Sequence, residues 1–257
     1  MNSAVQRDYN RETEVVKSRI VNYWSARSDS FMAQREEELQ SGQHQIWARE
    51  LLSHLQGKTG LRILDVGCGC GFFSLLLAES GHHVTGIDLT EDMVLHSREL
   101  ARQHGIRSEF FQMDAECPAF PDETFDVVVS RNLTWTLPHP ERAYRQWLRI
   151  LKPGGILLNY DAEHARYHLS SGLEGEKAHE MLSSGQMDEC LEIYGMLPIS
   201  GWKRPGWDVS FLEQSGCSCV EADTQIGKRL FLQDDQFRTP YPVFRIKAVK
   251  SGTVPAS

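Results

Sequence analysis

The segment Leu61-Arg62-Ile63-Leu64-Asp65-Val66 runs without a spacer into Gly67-Cys68-Gly69-Cys70-Gly71 and then into the apolar stretch Phe72 to Ser80. A buried strand that turns on glycines into a helix permits few architectures, because the turn needs backbone angles closed to other residues. Gly81 then closes the helix as a left-handed cap, and Val84 to Asp88 forms a second strand. Asp88 ends that strand 21 residues after Gly67, where a carboxylate can accept from both hydroxyls of a ribose. Strand, turn, helix, strand and terminal carboxylate together predict a nucleotide-type cofactor bound at the strand ends.

The same alternation continues. Thr90 to His104 reads as a helix with Glu91 and Asp92 in its first turn, and Ser108 to Met113 as strand three. Phe125 to Ser130 gives strand four. Pro140 opens a helix to Leu151, and Lys152-Pro153-Gly154-Gly155 turns into strand five, Ile156 to Tyr160. Trp207 to Ser215 reads as a further helix, and Val220 to Ile226 and Val243 to Val249 as two closing strands. Gly227 to Tyr241 shows no helical pattern, so those two strands are expected to form an antiparallel hairpin. The fold class is therefore α/β, a doubly wound, seven-stranded, Rossmann-like sheet that is mostly parallel with its last strand antiparallel.

Four regions are expected along the chain: an N-terminal helical cover (1–56), the cofactor-binding core (57–162), a helical cap insertion (163–205) and the completion of the sheet (206–250). Within the cover, Asn22 to Phe31 mixes aromatics, hydroxyls and charges, which predicts a turn. The run Arg35-Glu36-Glu37-Glu38 reads as a solvated helix face, and residues 251–257 as a frayed tail.

Two cofactor classes share the glycine geometry. Dinucleotide enzymes favour a third glycine at the position held here by Phe72, and a pyrophosphate would be repelled by Asp65. A carboxylate at that point suits a ligand carrying an amino group, which disfavours a nicotinamide-dependent oxidoreductase. The segment Leu64 to Gly71 resembles the first motif of class I S-adenosylmethionine-dependent methyltransferases of the small-molecule type, and further motifs follow in order over residues 61–160. Gly86 to Met93 resembles the ribose motif, which implies that Asp88 holds the ribose and that Leu89 and Met93 pack on the adenine. Gln112-Met113-Asp114-Ala115 resembles the adenine motif, implying contacts from Asp114 and Ala115. Phe125 to Asn132 resembles the fourth-strand motif, which puts Ser130 and Asn132 beside the methionine part with Asp65, Gly67 and Gly69. Leu151 to Gly155 resembles the turn before strand five. More loosely, Tyr23-Trp24-Ser25-Ala26-Arg27 is similar to an N-terminal segment that covers the cofactor, implying roles for Tyr23 and Arg27. Leu197-Pro198 and Arg204 to Asp208 also look family-like.

The resemblance implies S-adenosylmethionine as cofactor, S-adenosylhomocysteine as product, and methyl transfer to a small molecule by in-line displacement. Asn132 to Pro138 and Asn159 to Arg166 should border the acceptor, since ligands of such sheets lie beyond the carboxyl ends of the strands. Candidate bases or positioning groups there are His139, His164 and Tyr160, with Asp161 and His168 beside them. Trp24, Trp135 and Tyr160 are candidate aromatic faces for the sulfonium. Trp202 and Trp207 are candidates for the acceptor pocket or the core. His164 and His168 lie four apart but lack a third ligand at suitable spacing, so no metal is expected.

Two alternatives stay open: a cofactor-binding regulatory protein without methyl transfer, and an arsenite or thiol methyltransferase using Cys190, Cys217 and Cys219. Cys68 and Cys70 read as small fillers that diverge within the turn. The net charge of −8 and the absence of an Asn/Asp-Pro-Pro-Tyr/Phe motif after strand four argue against nucleic acid. No continuous apolar stretch suits a membrane span and no signal core opens the chain, so a cytoplasmic protein, monomer or homodimer, is expected.

Overall fold

The computed structural model describes residues 3–171, 183–232, 237, 239 and 241–252. Its helices in chain order are α1 (Ser3–Gln40), α2 (Gly42–Ser53), α3 (Phe72–Glu79), α4 (Glu91–Gln103), α5 (Pro140–Ile150), α6 (His164–Ser171), α7 (Ser184–Met196), α8 (Gly206–Gln214) and α9 (Ile226–Leu230). The strands are β1 (Arg62–Val66), β2 (His83–Asp88), β3 (Glu109–Gln112), β4 (Phe125–Arg131), β5 (Leu151–Ala162), β6 (Cys217–Asp223) and β7 (Val243–Lys250).

All seven strands share one sheet in the order β3-β2-β1-β4-β5-β7-β6. Every pairing from β3 to β5 is parallel, and β7 runs antiparallel to both β5 and β6. From β1 the chain winds outward to β3, then crosses to β4 on the other side of β1. That reversal opens a crevice beyond the carboxyl ends of β1 and β4, the place where open α/β sheets bind ligands.

Alternation along the strands sorts the core into two layers. Ile63, Val127 and Val129 pack with Trp47 and Leu51 of α2, Phe73 and Leu76 of α3 and Leu100 of α4. Leu64, Val128 and Leu157 face the other way, onto Tyr144 and Trp147 of α5 and Leu212 of α8. A third cluster joins Val16, Ile20 and Tyr23 of α1 to Trp135 and to Ile193 and Tyr194 of α7. It lays α1 and α7 together over the open end of the sheet.

Three expectations need correction. The turn predicted within Asn22 to Phe31 is absent: α1 is continuous to Gln40, and the next residue, Ser41, caps α2, its Oγ accepting from Gln43 N at 3.1 Å. The mixed residues are a stripe rather than a break, because Tyr23, Arg27, Phe31 and Arg35 recur every four residues along one helix face and all border the same cavity. Its hydroxyls are absorbed by the helix itself, Ser28 Oγ and Ser30 Oγ each donating to a carbonyl three residues back at 2.9 Å. The link from β6 to β7 contains α9, which buries Ile226 and Leu230 but is too short for periodicity to announce. And β5 begins at Leu151, since that residue already pairs with Phe125 before an irregularity at the Lys152–Gly155 turn. Residues 172–182 of the expected cap and 253–257 of the expected tail lie outside the described residues.

Candidate active site

The glycine turn is shaped by close approach. A Cβ on Gly67 would fall 2.7 Å from Leu133 Cδ1, and Gly67 sits at φ +66°, so both space and conformation demand glycine. Asp88 at the end of β2 secures the turn, its Oδ2 accepting from Gly69 N at 3.0 Å and its Oδ1 from Thr90 N at 2.9 Å. Thr90 stands at the N-cap of α4 as expected, but its side chain makes no capping bond, and Asp88 supplies the acceptor instead. Asp65 is buried beneath the turn and accepts from Ser74 Oγ at 2.7 Å. Burial, partly offset by that bond, pushes its carboxyl up to about 7.

Above the turn lies a cavity of about 200 Å³. At one end its walls are Asp88, Leu89, Met93, Asp114 and Ala115; its floor is Asp65, Gly67, Gly69 and Asn132; and Tyr23 and Arg27 of α1 cover it. Asn132 holds a left-handed backbone at φ +53°, a conformation Asn tolerates better than most residues and one that ends β4 at the cavity. Arg27 Nη1 donates to Tyr23 Oη at 2.9 Å, and its guanidinium lies over the Tyr23 and Trp24 rings. The other end is aromatic. Trp47, Phe73 and Tyr160 form an edge-to-face cluster with centroids 5.0–5.7 Å apart, while Trp135, Tyr194, Tyr241 and His164 line the opposite wall.

Of the residues singled out for the cofactor, Ser130 alone does not border this cavity. It is fully buried in β4, because the left-handed turn at Asn132 carries the chain upward only after it. His139 does not line the cavity either; its Nε2 lies 2.9 Å from Thr13 Oγ1, and its backbone N–H is held by Glu116. His168 is buried behind the wall, stacked on Tyr194. Asp161 is enclosed, accepting from Trp135 N, Ala162 N and Arg204 Nη1 at 2.7–3.0 Å. Tyr160 forms wall with its ring, but its hydroxyl donates away from the cavity to Glu50 at 3.2 Å, and burial raises its pKa well above the ordinary value, which unsuits it as a base. Trp202 packs on Trp207 at a 36° tilt, and Trp207 stacks on Tyr144 and Phe211, so this pair belongs to the packing around α8. Cys217 and Cys219 sit at the start of β6, at the sheet end away from the cavity, whereas Cys190 lines it. Among the described residues no three His, Cys, Asp or Glu side chains are grouped to hold a metal.

Several lining residues were not singled out. Lys17 reaches from α1 to Asp114 Oδ2 at 2.7 Å and Glu116 Oε2 at 2.6 Å, tying the cover to the end of β3. The run Arg35 to Glu38 is no solvated face: Arg35 and Glu38 are buried, and Arg35 lines the cavity together with Arg131 of β4. Only the four-residue spacing from Tyr23 to Arg35 could have disclosed this.

The geometry fits a sulfonium nucleoside bearing an amino acid. Gly67 and Gly69 bring the main chain against Leu133 and Phe31 at the cavity floor, Asp88 closes the turn with a carboxylate that borders the cavity, and Asp65 is a buried carboxyl that makes no ion pair among the described residues. A family model described as a methyltransferase domain matches residues 63–155. Phosphatidylethanolamine N-methyltransferase of Cereibacter sphaeroides is 33% identical over 179 residues, covering 64% of this chain and 84% of that protein. The chain belongs to the S-adenosylmethionine-dependent methyltransferases. The ubiquinone/menaquinone biosynthesis C-methyltransferase UbiE of Pseudomonas putida is 36% identical over 126 residues, 47% of this chain and 49% of that enzyme, so the chain spans about half of that relative. The fold is shared with phosphoethanolamine N-methyltransferase 2 of Haemonchus contortus, solved in complex with S-adenosyl-L-methionine, at a TM-score of 0.55 and 20% identity over 76% of this chain and 49% of that one. As a member of that family, this methyltransferase uses S-adenosylmethionine as its cofactor. Among its described residues no helix is long and apolar enough to cross a membrane.

Proposed function

We propose that this methyltransferase modifies a small-molecule acceptor held at the aromatic end of its cavity. One observation carries the reading: a single cavity joins the glycine turn, Asp88 and Asp114 to a chamber of Trp47, Phe73, Trp135, Tyr160 and Tyr241. In this reading Asp88 holds the ribose hydroxyls, Leu89 and Met93 flank the adenine, and Asp114 and Ala115 meet its edge. Asp65, Gly67, Gly69 and Asn132 hold the methionine part, and Tyr23 and Arg27 close over it. When bound, S-adenosylmethionine supplies an electrophilic methyl group on a sulfonium sulfur.

The chain's own contribution is alignment and exclusion of water. Holding both reactants in line is worth about 7–11 kcal/mol of barrier, and α1 lying over the sheet end provides the enclosure. His164 is the one imidazole that lines the cavity among the described residues. It takes the acceptor's proton on its ring where the acceptor carries one, with Asp161 Oδ1 lying 3.7 Å from its Nε2. The relatives named for phosphatidylethanolamine and for ubiquinone/menaquinone biosynthesis support a non-polymeric acceptor, as does the net charge of −8. The free cysteines fit a reducing, cytoplasmic setting.

The test is calorimetry with S-adenosylhomocysteine. Asp88→Ala removes the ribose acceptor and should weaken binding by at least about 1.5 kcal/mol, roughly tenfold; unchanged affinity would overturn the assignment. A metabolite extract incubated with enzyme and cofactor, read by mass for the species that gains a methyl, then identifies the acceptor.

A further inference from the structure

At the α1–β4 side of the cavity two guanidiniums are buried on one carboxylate. Glu38 is 0% exposed and accepts from Arg131 Nη2 at 2.7 Å and Nη1 at 3.1 Å, while Arg35 Nη1 pairs with the same group. Both guanidiniums are stacked on rings, Arg35 4.8 Å from the Phe31 centroid and Arg131 4.5 Å from that of Trp47. Arg35 and Arg131 line the cavity, whereas Glu38 lies behind them.

The charges do not balance. Two positive groups share one negative one, and Arg35, only 8% exposed, has a buried Nε with no acceptor among the described residues. Burial, opposed by Glu38 and reinforced by Arg131 and Arg27, pulls the Arg35 pKa down to about 10. The other acidic groups on the cavity are committed in the reading above: Asp65 and Asp88 to the cofactor, and Asp114 to Lys17. Arg27 is likewise assigned to the cofactor. A buried excess of positive charge beside an apolar chamber is unfavourable until an anion enters.

We infer that the Arg35–Glu38–Arg131 triad is a docking point for an anionic group of the acceptor, a carboxylate or a phosphate, whose apolar body lies against Trp47, Phe72 and Tyr160. Planar guanidiniums fixed by stacking and by a shared carboxylate are pre-organised for the oxygens of such a group. The same excess charge disfavours an acceptor that presents a cationic amine at this end. The inference deepens the small-molecule reading and rests on it.

The experiment uses protein saturated with S-adenosylhomocysteine and four probes of similar size: benzoate, phenyl phosphate, benzyl alcohol and benzylamine. Calorimetry on the wild type should show benzoate or phenyl phosphate binding at least about tenfold more tightly than the alcohol or the amine. The anion preferred tells carboxylate from phosphate. Arg35→Gln should remove that preference while leaving S-adenosylhomocysteine affinity within about twofold. Equal binding of all four probes, a preference for benzylamine, or no binding of either anion at about 10 mM overturns the inference. So does an anion that competes with S-adenosylhomocysteine, since the triad would then serve the cofactor's own carboxylate. The wild-type comparison stands even if Arg35→Gln fails to fold. Failure of the broader reading shows separately, as an unchanged affinity in Asp88→Ala.

Discussion

Two buried ion clusters flank the sheet ends, and they are built to opposite plans. In one, Arg204 lies between Asp161 and Asp208, bonding the first at 2.7 Å and chelating the second through Nε and Nη2 at 2.7–3.2 Å. Tyr144 donates to Asp208, Asn159 donates to Tyr144, and two backbone amides complete Asp161. None of the side chains of Arg204, Asp161, Asp208, Tyr144 and Asn159 borders the main cavity, and the cluster touches its wall through the backbone amide of Trp135. In the other, Arg35 and Arg131 share Glu38, open onto the cavity, and leave a donor unmatched. The first cluster ties β5 to the start of α8: two carboxylates share one guanidinium, every charged atom has a hydrogen-bond partner, and only the neutral Asn159 Oδ1 is left without one among the described residues. The second becomes complete only with something added. A buried charge satisfied from all sides reads as architecture, and one left short on a cavity reads as a binding surface.

The sharpest way to break this contrast is Arg204→Met. Two carboxylates would be stranded in the core, and unfolding in urea should show a loss of about 3–5 kcal/mol, with cofactor affinity of the folded protein unchanged. A loss below about 1 kcal/mol would mean the cluster is not structural.

Asp65 extends the contrast to a third buried charge. Its pKa of about 7 lies above the ordinary carboxylate range, so between about pH 4 and pH 7 the unfolded chain is ionised while the folded one keeps its proton. The folded state binds more protons in that window. Stability of the ligand-free protein should therefore fall as pH rises from about 4 to 7, by on the order of 4 kcal/mol, and level off above. Asp65→Asn should flatten that slope. Binding of S-adenosylhomocysteine, whose ammonium favours the ionised form, should weaken as pH drops below 7 and should release a proton there.

Glu38→Gln is expected to cost less than Arg204→Met, about 2 kcal/mol, because cavity water or an anion can relieve the two arginines in a way the closed cluster does not allow. Equal losses in the two variants would erase the distinction. The smallest effect belongs to Cys217→Ser with Cys219→Ser. Both residues lie at the far end of β6, so stability should stay within about 0.5 kcal/mol and methyl transfer should be unchanged. Loss of activity in that double variant would restore the thiol-based alternative.

What could be read in the sequence divides along the same line. The glycine turn, Asp88, Asp114 and the alternation of strands and helices are local: each depends on a few consecutive residues whose conformation is set by chain geometry. The triad and the aromatic chamber are not. Arg35, Arg131, Tyr194 and Tyr241 come from four distant segments, and each has an unremarkable sequence context until the sheet brings them to one cavity. Even the contiguous part misled, because Asn22 to Phe31 serves two masters, helix continuity and a polar cavity, and so lacks the clean apolar stripe by which a surface helix is recognised. His139 was misplaced for the reverse reason. It follows a strand end in sequence, but the short helical turn at Thr134–Thr136 carries it past the rim.

The unbroken first helix carries one further consequence. In the proposed arrangement Lys17 stands at the adenine side of the site and Arg35 at the acceptor side, about 27 Å apart along a rod that rises 1.5 Å per residue. A hinge between them would let the two subsites form separately. With no hinge, they share a single rigid lever, and whatever seats it for the nucleotide also presents the arginine. The two compartments are roofed by one element, and neither could be uncovered at α1 without displacing the roof of the other.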